Sequence, residues 1–309
     1  MTAHVHDLIT GIPTTYPAPL HGDDLLFPSA QGLYGWGARL ERVFAGLGSA
    51  LTRTGCTDRT RVMQFPPLMS RKVFEQCEFT DSFPQLLGSV HAFNGGRAEH
   101  QRLRQAIEAG EEWGALLDQS DYVLTPAACY PIYPYYSGRL ADEGVHVDTL
   151  GQCFRHEPSD EAGRLVSFRQ REFVRIAGPG QVRGWFDEWR EQALGFVRGL
   201  GLDARCETAN DPFFGASGGR LLASNQREQS LKFEITAPIG AEHRVAVASC
   251  NRHLDHFGRV FGITLSDGSP AHAACVGFGL ERIAFALIAE HGPDLDAWPT
   301  ATREQLWGR

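Results

Sequence analysis

Residues 154–173 read FRHEPSDEAGRLVSFRQREF: a β-prone run, a loop over Pro158–Val166, and a return run. Arg155 stands on the first run. A guanidinium fixed on a strand suits a phosphate or a carboxylate, because its planar fork makes bidentate hydrogen bonds. Glu157 follows two residues later and so shares the same face of the strand. A carboxylate placed there can accept a bond from an adenine amino group, and an aromatic on the return run can stack on the base. The loop between them can close over a ligand. A surface hairpin with cross-strand ion pairs accounts for any one of these residues, but not for the whole arrangement.

Around this hairpin the chain alternates short strands with amphipathic helices. Val123–Thr125, Gln152–His156, Arg171–Ile176, Leu231–Ala237 and Ala246–Ser249 are β-prone runs bounded by turn residues. Between them, Val182–Leu200 carries one apolar stripe, and Trp36, Leu40, Val43, Leu47 and Leu51 repeat at helical spacing upstream. A strand is predicted around Arg61–Phe65, stopped by Pro66-Pro67, followed by a charged helix over Arg97–Leu117. Strands clustered around an inserted helix predict an α+β fold, a mostly antiparallel sheet flanked by helices, rather than regular βαβ alternation. Residues 1–30, rich in Pro, Gly, Thr and Asp, read as an irregular N-terminal arm, and residues 31–309 as a single domain.

Composition narrows the function classes. The 309 residues include 29 basic and 37 acidic ones, a net charge of −8, which disfavours a dedicated nucleic-acid binder. No run approaches the ~18 apolar residues of a membrane span, and Met1–His6 lacks the start of a secretory signal. Seven scattered cysteines without CxxC pairs point to a reducing, cytoplasmic setting.

A second constellation, Gly277-Phe278-Gly279-Leu280-Glu281-Arg282, joins a strand, Cys275–Gly279, to an apolar helix, Leu280–Ala289. Its glycines let backbone approach a ligand, and Arg282 emerges at the helix start. Alone this is an ordinary strand-to-helix turn.

Together, in this order, the FRxE…F and GxGLER patterns resemble motifs 2 and 3 of class II aminoacyl-tRNA synthetases, and Gly32–Pro66 loosely resembles motif 1, the dimer-interface element. Ala127–Pro134, Arg171–Phe173 and Ala273–Cys275 narrow the resemblance to atypical seryl-tRNA synthetases and, more closely, to their stand-alone relatives, the amino acid:[carrier protein] ligases. The resemblance covers roughly residues 30–290. It implies one Zn²⁺ per subunit held by Cys129, Glu172 and Cys275, with the fourth position open for the substrate's amino group. Three protein ligands are what a substrate-binding zinc needs. His253, Asp255 and His256 form a rival ligand cluster.

The resemblance also implies an ATP site. Arg155 would hold the α-phosphate and the substrate carboxylate, Glu157 would read the adenine amino group, and Phe173 would stack under the ring. Arg282 would meet the γ-phosphate with Arg169 in a neighbouring role, Asn251 would bond substrate or phosphates, and Glu234 would help hold Mg²⁺. The seryl enzymes have a second acid where this chain reads Arg244-Val245-Ala246-Val247-Ala248, with none.

The implied activity is formation of an aminoacyl-adenylate from ATP and glycine or alanine, then transfer to the phosphopantetheine thiol of a holo carrier protein by a homodimer. The alternatives are a seryl-tRNA synthetase-like enzyme and a non-catalytic amino-acid-binding regulator. Only 27 residues follow Arg282, so the expectation is a chain without a tRNA-recognition domain and with no tRNA or membrane partner. Asp203–Ser230, with Arg205, Arg220 and Arg227, is a candidate carrier-docking insertion.

Overall fold

The computed structural model describes residues 11–22, 24–211, 230–240 and 243–308. Its seven-stranded sheet is built from β1 (Thr60–Met63), β2 (Val145–Phe154), β3 (Ser167–Ala177), β4 (Arg205–Thr208), β5 (Lys232–Pro238), β6 (Arg244–Leu254) and β7 (His272–Gly279). The strand order is β4-β5-β6-β7-β3-β2-β1. Every pairing is antiparallel except β1 with β2. The expected mostly antiparallel sheet is therefore present, and the strand predicted before Pro66-Pro67 is its parallel edge.

Helices α1 (Ala38–Gly55), α2 (Arg97–Ala109), α3 (Pro179–Gly199), α4 (Leu280–His291) and α5 (Thr300–Trp307) follow in chain order. The apolar stripes of α1 and α3 drive them, with α4, onto one face of the sheet, where Leu47, Phe186, Val276, Phe278 and Phe285 share the main core. Helix α3 opens with proline at its first turn, where the missing N–H costs nothing. Helix α2 stops at Ala109, short of the predicted Leu117, because Gly110 takes φ +71° and ends it with a left-handed cap. It belongs to an insertion between β1 and β2 that has its own three-stranded sheet, Leu68–Ser70, Ser89–Ala92 and Asp118–Leu124. Among the described residues, no helix is long and apolar enough to cross a membrane.

Within the predicted N-terminal arm, Ala18–His21 forms a 3₁₀ turn and Leu26–Ala30 a strand, while the other described residues lack regular structure. Leu26–Ala30 pairs with Leu33–Trp36 in a hairpin. Tyr16, Leu20 and Leu25 are buried in the main core, and the Tyr16 ring meets Phe285 edge-on at 5.9 Å. Apolar residues scattered among prolines carry no periodicity, so only the tertiary contacts reveal this packing.

A buried ion pair ties α1 to the sheet. Arg171 on β3 donates to both carboxylate oxygens of Asp148 on β2, at 2.9 and 2.5 Å. It also donates to Thr52 Oγ1 at 2.7 Å and to the Gly48 carbonyl, both on α1. Cys56 donates its thiol proton to Asp148 at 3.2 Å. Removing one partner leaves the other charge buried and unpaired. Asp148→Ala should cost about 3–5 kcal/mol, read as a fall in the denaturant midpoint at unchanged m-value.

Candidate active site

The face of the sheet opposite the core helices carries one large cavity, lined by β3, β5, β6 and β7 and by Phe79, Phe83 and Leu86 of the insertion. Alternation along β3 points Phe168, Gln170 and Glu172 into it. On β7 the same rule presents Cys275, Gly277 and Gly279, and on β5 Lys232 and Glu234. A Cβ at Gly277 would stand 2.9 Å from Gln170 Nε2 and 3.3 Å from Glu172 Cγ, so a larger residue there would push both side chains aside.

One end of the cavity holds Cys129, Glu172 and Cys275. All three are buried, and their ligand atoms lie within 4.8 Å of one another, the one such group among the described residues. Cys129 caps the 3₁₀ helix Tyr130–Tyr136, and its N–H donates to Glu172 Oε1 at 3.2 Å. The Cys129 thiol is pushed well above its usual range by its bond with Cys275, by burial and by Glu172. At Cys275 the bond from Cys129 acts downward, but burial and the Glu172 charge prevail and raise it. Burial raises the Glu172 carboxyl against the pull of both cysteines. Three acidic groups in a dry corner keep their protons unless a cation replaces them, so the donor set fits a divalent metal. His253 Nε2 lies 3.4 Å from Cys275 Sγ, and the Asn251 amide donates toward the same sulfur at 3.8 Å. His253 thus adjoins one ligand but stands outside the converging group. Of the rival cluster, Asp255 instead accepts from Arg259 at 2.7 Å.

The other end is cationic. Arg155 donates from Nε to the Pro126 carbonyl at 3.1 Å, with its guanidinium 5.4 Å from the Phe168 ring centre. Arg282 donates to the carbonyls of Gly163 and Ala246 at 2.7 and 2.8 Å. Burial and the nearby Arg155 and Arg164 charges lower its proton affinity. Gly163 adopts φ +79° with Arg282 Cγ 3.3 Å from where a Cβ would be, so the loop can pass over this side chain only as glycine. Glu157 also lines the cavity, with Arg164 Nη1 3.3 Å from its carboxylate.

Of the residues singled out in the sequence, Arg155, Glu157, Glu172, Glu234, Asn251, Cys129, Cys275 and Arg282 all meet in this cavity. Phe173 and Arg169 do not. Phe173 is fully buried on the opposite face, stacked on Trp189 at 4.5 Å. It cannot lie under a base, and Phe168 is the β3 aromatic that faces the cavity. Arg169 turns to α1, where Glu41 accepts two bonds at 3.1 and 2.6 Å, and its guanidinium covers Phe44 at 4.1 Å. Its N–H and Nε meet Glu281 at 2.8 and 3.3 Å, so it joins α1, β3 and α4. Burial raises the Glu281 carboxyl to about 7. Strand parity from Glu172 places Gln170 and Phe168 on the cavity face and Arg169 and Phe173 on the other. Arg164 and Lys232 also line or border the cavity without having been singled out; only the loop path and strand register reveal them. Arg220 and Arg227 lie outside the described residues.

Sheet order and helix placement give the chain a fold of the class II aminoacyl-tRNA synthetase type. The M. kandleri SerRS, solved with A. aeolicus tRNASec, has a TM-score of 0.76 at 22% identity, over 90% of this chain and 57% of that one. The cytoplasmic serine-tRNA ligase of Naegleria fowleri, solved with AMP, scores 0.65 at 14% identity, over 91% and 55%. Type-2 serine–tRNA ligase of Methanococcus aeolicus is 28% identical over 62% of this chain and 38% of its own length. No protein-family model matches the chain. Amino acid–[acyl-carrier-protein] ligases 2 and 1 of Bradyrhizobium diazoefficiens are 41% and 40% identical, each over 93% of this chain and over 86% and 89% of their own lengths. The chain belongs to this family of amino acid–[acyl-carrier-protein] ligases and is a ligase enzyme.

Four measurements test the site. If the cavity holds ATP, Phe168→Ala should weaken that binding by about 1–3 kcal/mol, the usual worth of a base–aromatic stack, and cost less stability than a fully buried ring, since Phe168 is only partly buried. Phe173→Ala should instead cost about 3–5 kcal/mol of stability, as a core truncation does. For the metal corner, binding must displace protons from the raised groups, so affinity should rise with pH. Calorimetry in buffers of different ionisation heat should record proton release, and Cys129→Ala should lose bound metal by elemental analysis.

Proposed function

We propose that the protein activates glycine or alanine with ATP and passes the aminoacyl group to the phosphopantetheine thiol of a holo carrier protein. The observation that carries this reading is the buried Cys129–Glu172–Cys275 corner in the same cavity as Arg155 and Arg282. Two sulfurs and one carboxylate suit zinc, and a zinc ion held by three protein ligands supplies an open position for an α-amino group. Arg155 then binds the substrate carboxylate and the α-phosphate together. Glu157 accepts from the adenine amino group, Phe168 stacks under the ring, and Arg282 meets the γ-phosphate. Asn251 bonds the substrate beside the metal corner.

In the first step a carboxylate oxygen forms a bond to the α-phosphorus. The α–β bridging bond breaks, and pyrophosphate leaves with the electron pair. In the second, the carrier thiol gives up its proton to solvent, its sulfur attacks the acyl carbon, and the bond from that carbon to the phosphate oxygen breaks, so that AMP leaves with the electron pair. Neither step needs a strong base on the enzyme; positioning and fixed positive charge lower the barriers. Seven free thiols suit a reducing, cytoplasmic setting, and the motif-1-like helix and edge strand suit a homodimer.

Pyrophosphate exchange across the amino acids tests the first step, with glycine and alanine expected to lead. Arg282→Ala should lower exchange about 10²–10³-fold while the protein stays folded. Labelled glycine should load a holo carrier and not its apo form, and efficient charging of tRNA would overturn the reading.

A further inference from the structure

Lys232 is a buried cation at the floor of the active-site cavity. Its Nζ lies 2.5 Å from Asp211 Oδ1 and 3.2 Å from Glu234 Oε1. An ammonium in such a place is held only by paired carboxylates, so both acids are already engaged in keeping it there. Glu234 is the residue to which the resemblance gave a share in Mg²⁺ binding. Across the sheet, Glu234 pairs with Ser249, and the neighbouring β6 segment Val245–Ala248 carries no acid. Mg²⁺ demands a near-octahedral oxygen shell and dehydrates reluctantly. There it would meet two carboxylates, Asp211 and Glu234, both already held by the fixed positive charge of Lys232, so with the lysine in place these residues do not fit the ion.

We infer that Lys232 is a built-in cation standing in place of a divalent ion at Glu234, so that the enzyme uses Mg²⁺ only as the companion of ATP. Lys232 is a positioning residue in this scheme: it orients Glu234 and Asp211 and sets the charge of the floor. Arg155, Arg164 and Arg282, whose charges bear on one another, supply the remaining positive charge at the phosphate end of the same cavity. The inference rests on the reading of this cavity as an ATP site. It goes beyond that reading in stating which cation serves Glu234.

Two readouts test it on the full chain, loaded with zinc. The first is Mn²⁺ binding without nucleotide, followed by electron paramagnetic resonance. Wild type should bind no Mn²⁺ at this floor, Lys232→Met should gain one site, and Lys232→Arg, which keeps the charge, should behave as wild type. The second is the Mg²⁺ dependence of pyrophosphate exchange with glycine. In wild type and Lys232→Arg the rate should saturate once Mg²⁺ matches total nucleotide and pyrophosphate. Lys232→Met should need a several-fold excess of free Mg²⁺. A Mn²⁺ site in wild type that Glu234→Gln abolishes would overturn the inference. So would a wild-type need for excess Mg²⁺ that Lys232→Met leaves unchanged. Absence of exchange with every amino acid would count against the activation reading alone, since the Mn²⁺ titration needs no turnover.

Discussion

Side chains on a β-strand point alternately to opposite faces, and β3 spends both faces on different tasks. Phe168, Gln170 and Glu172 look into the cavity, while Arg169, Arg171 and Phe173 look toward the helices. A shift of one residue in the β2–β3 register would exchange the two sets. The metal corner would then receive a guanidinium, and the core would receive carboxylate and amide groups. Ten consecutive paired positions, from Phe154↔Ser167 to Val145↔Ile176, hold the register.

The helix-side residues of β3 are what keep the cavity side in place. Arg171 binds Asp148, Thr52 and Gly48, so β2, β3 and α1 move as one unit. Arg169 bridges Glu41 and Glu281, which ties α1 to the start of the helix that carries Arg282. The buried charges among these, Arg171, Asp148 and Glu281, add little net stability, but they cost heavily when left unpaired. They therefore favour one arrangement of helix and sheet over its near neighbours. That arrangement holds Glu172 and Arg282 at opposite ends of a single cavity.

Much of this was legible in the chain. The FRxE run, its return strand and the GxGLER turn name Arg155, Glu157 and Arg282, and all three meet in the cavity. Cys129, Glu172 and Cys275 come from three distant segments, yet their flanking residues mark them, and their ligand atoms converge. Motif spacing alone puts Phe173 and Arg169 beside the ligand, whereas strand parity turns both side chains toward the helices. The packing of Tyr16 and Leu20 escaped notice because an aperiodic stretch gives no local sign of burial.

The sequence by itself determined the α+β class, the helices with apolar stripes and the identity of most cavity residues, because these follow from local periodicity and from side-chain chemistry. Tertiary structure alone decided which face each side chain took and which charge it met. The Lys232–Asp211–Glu234 group depends on residues 21 positions apart on different elements, and the pairing of Arg169 with Glu41 spans 128. Such contacts arise from strand register and helix packing, which act through space and leave no period along the chain.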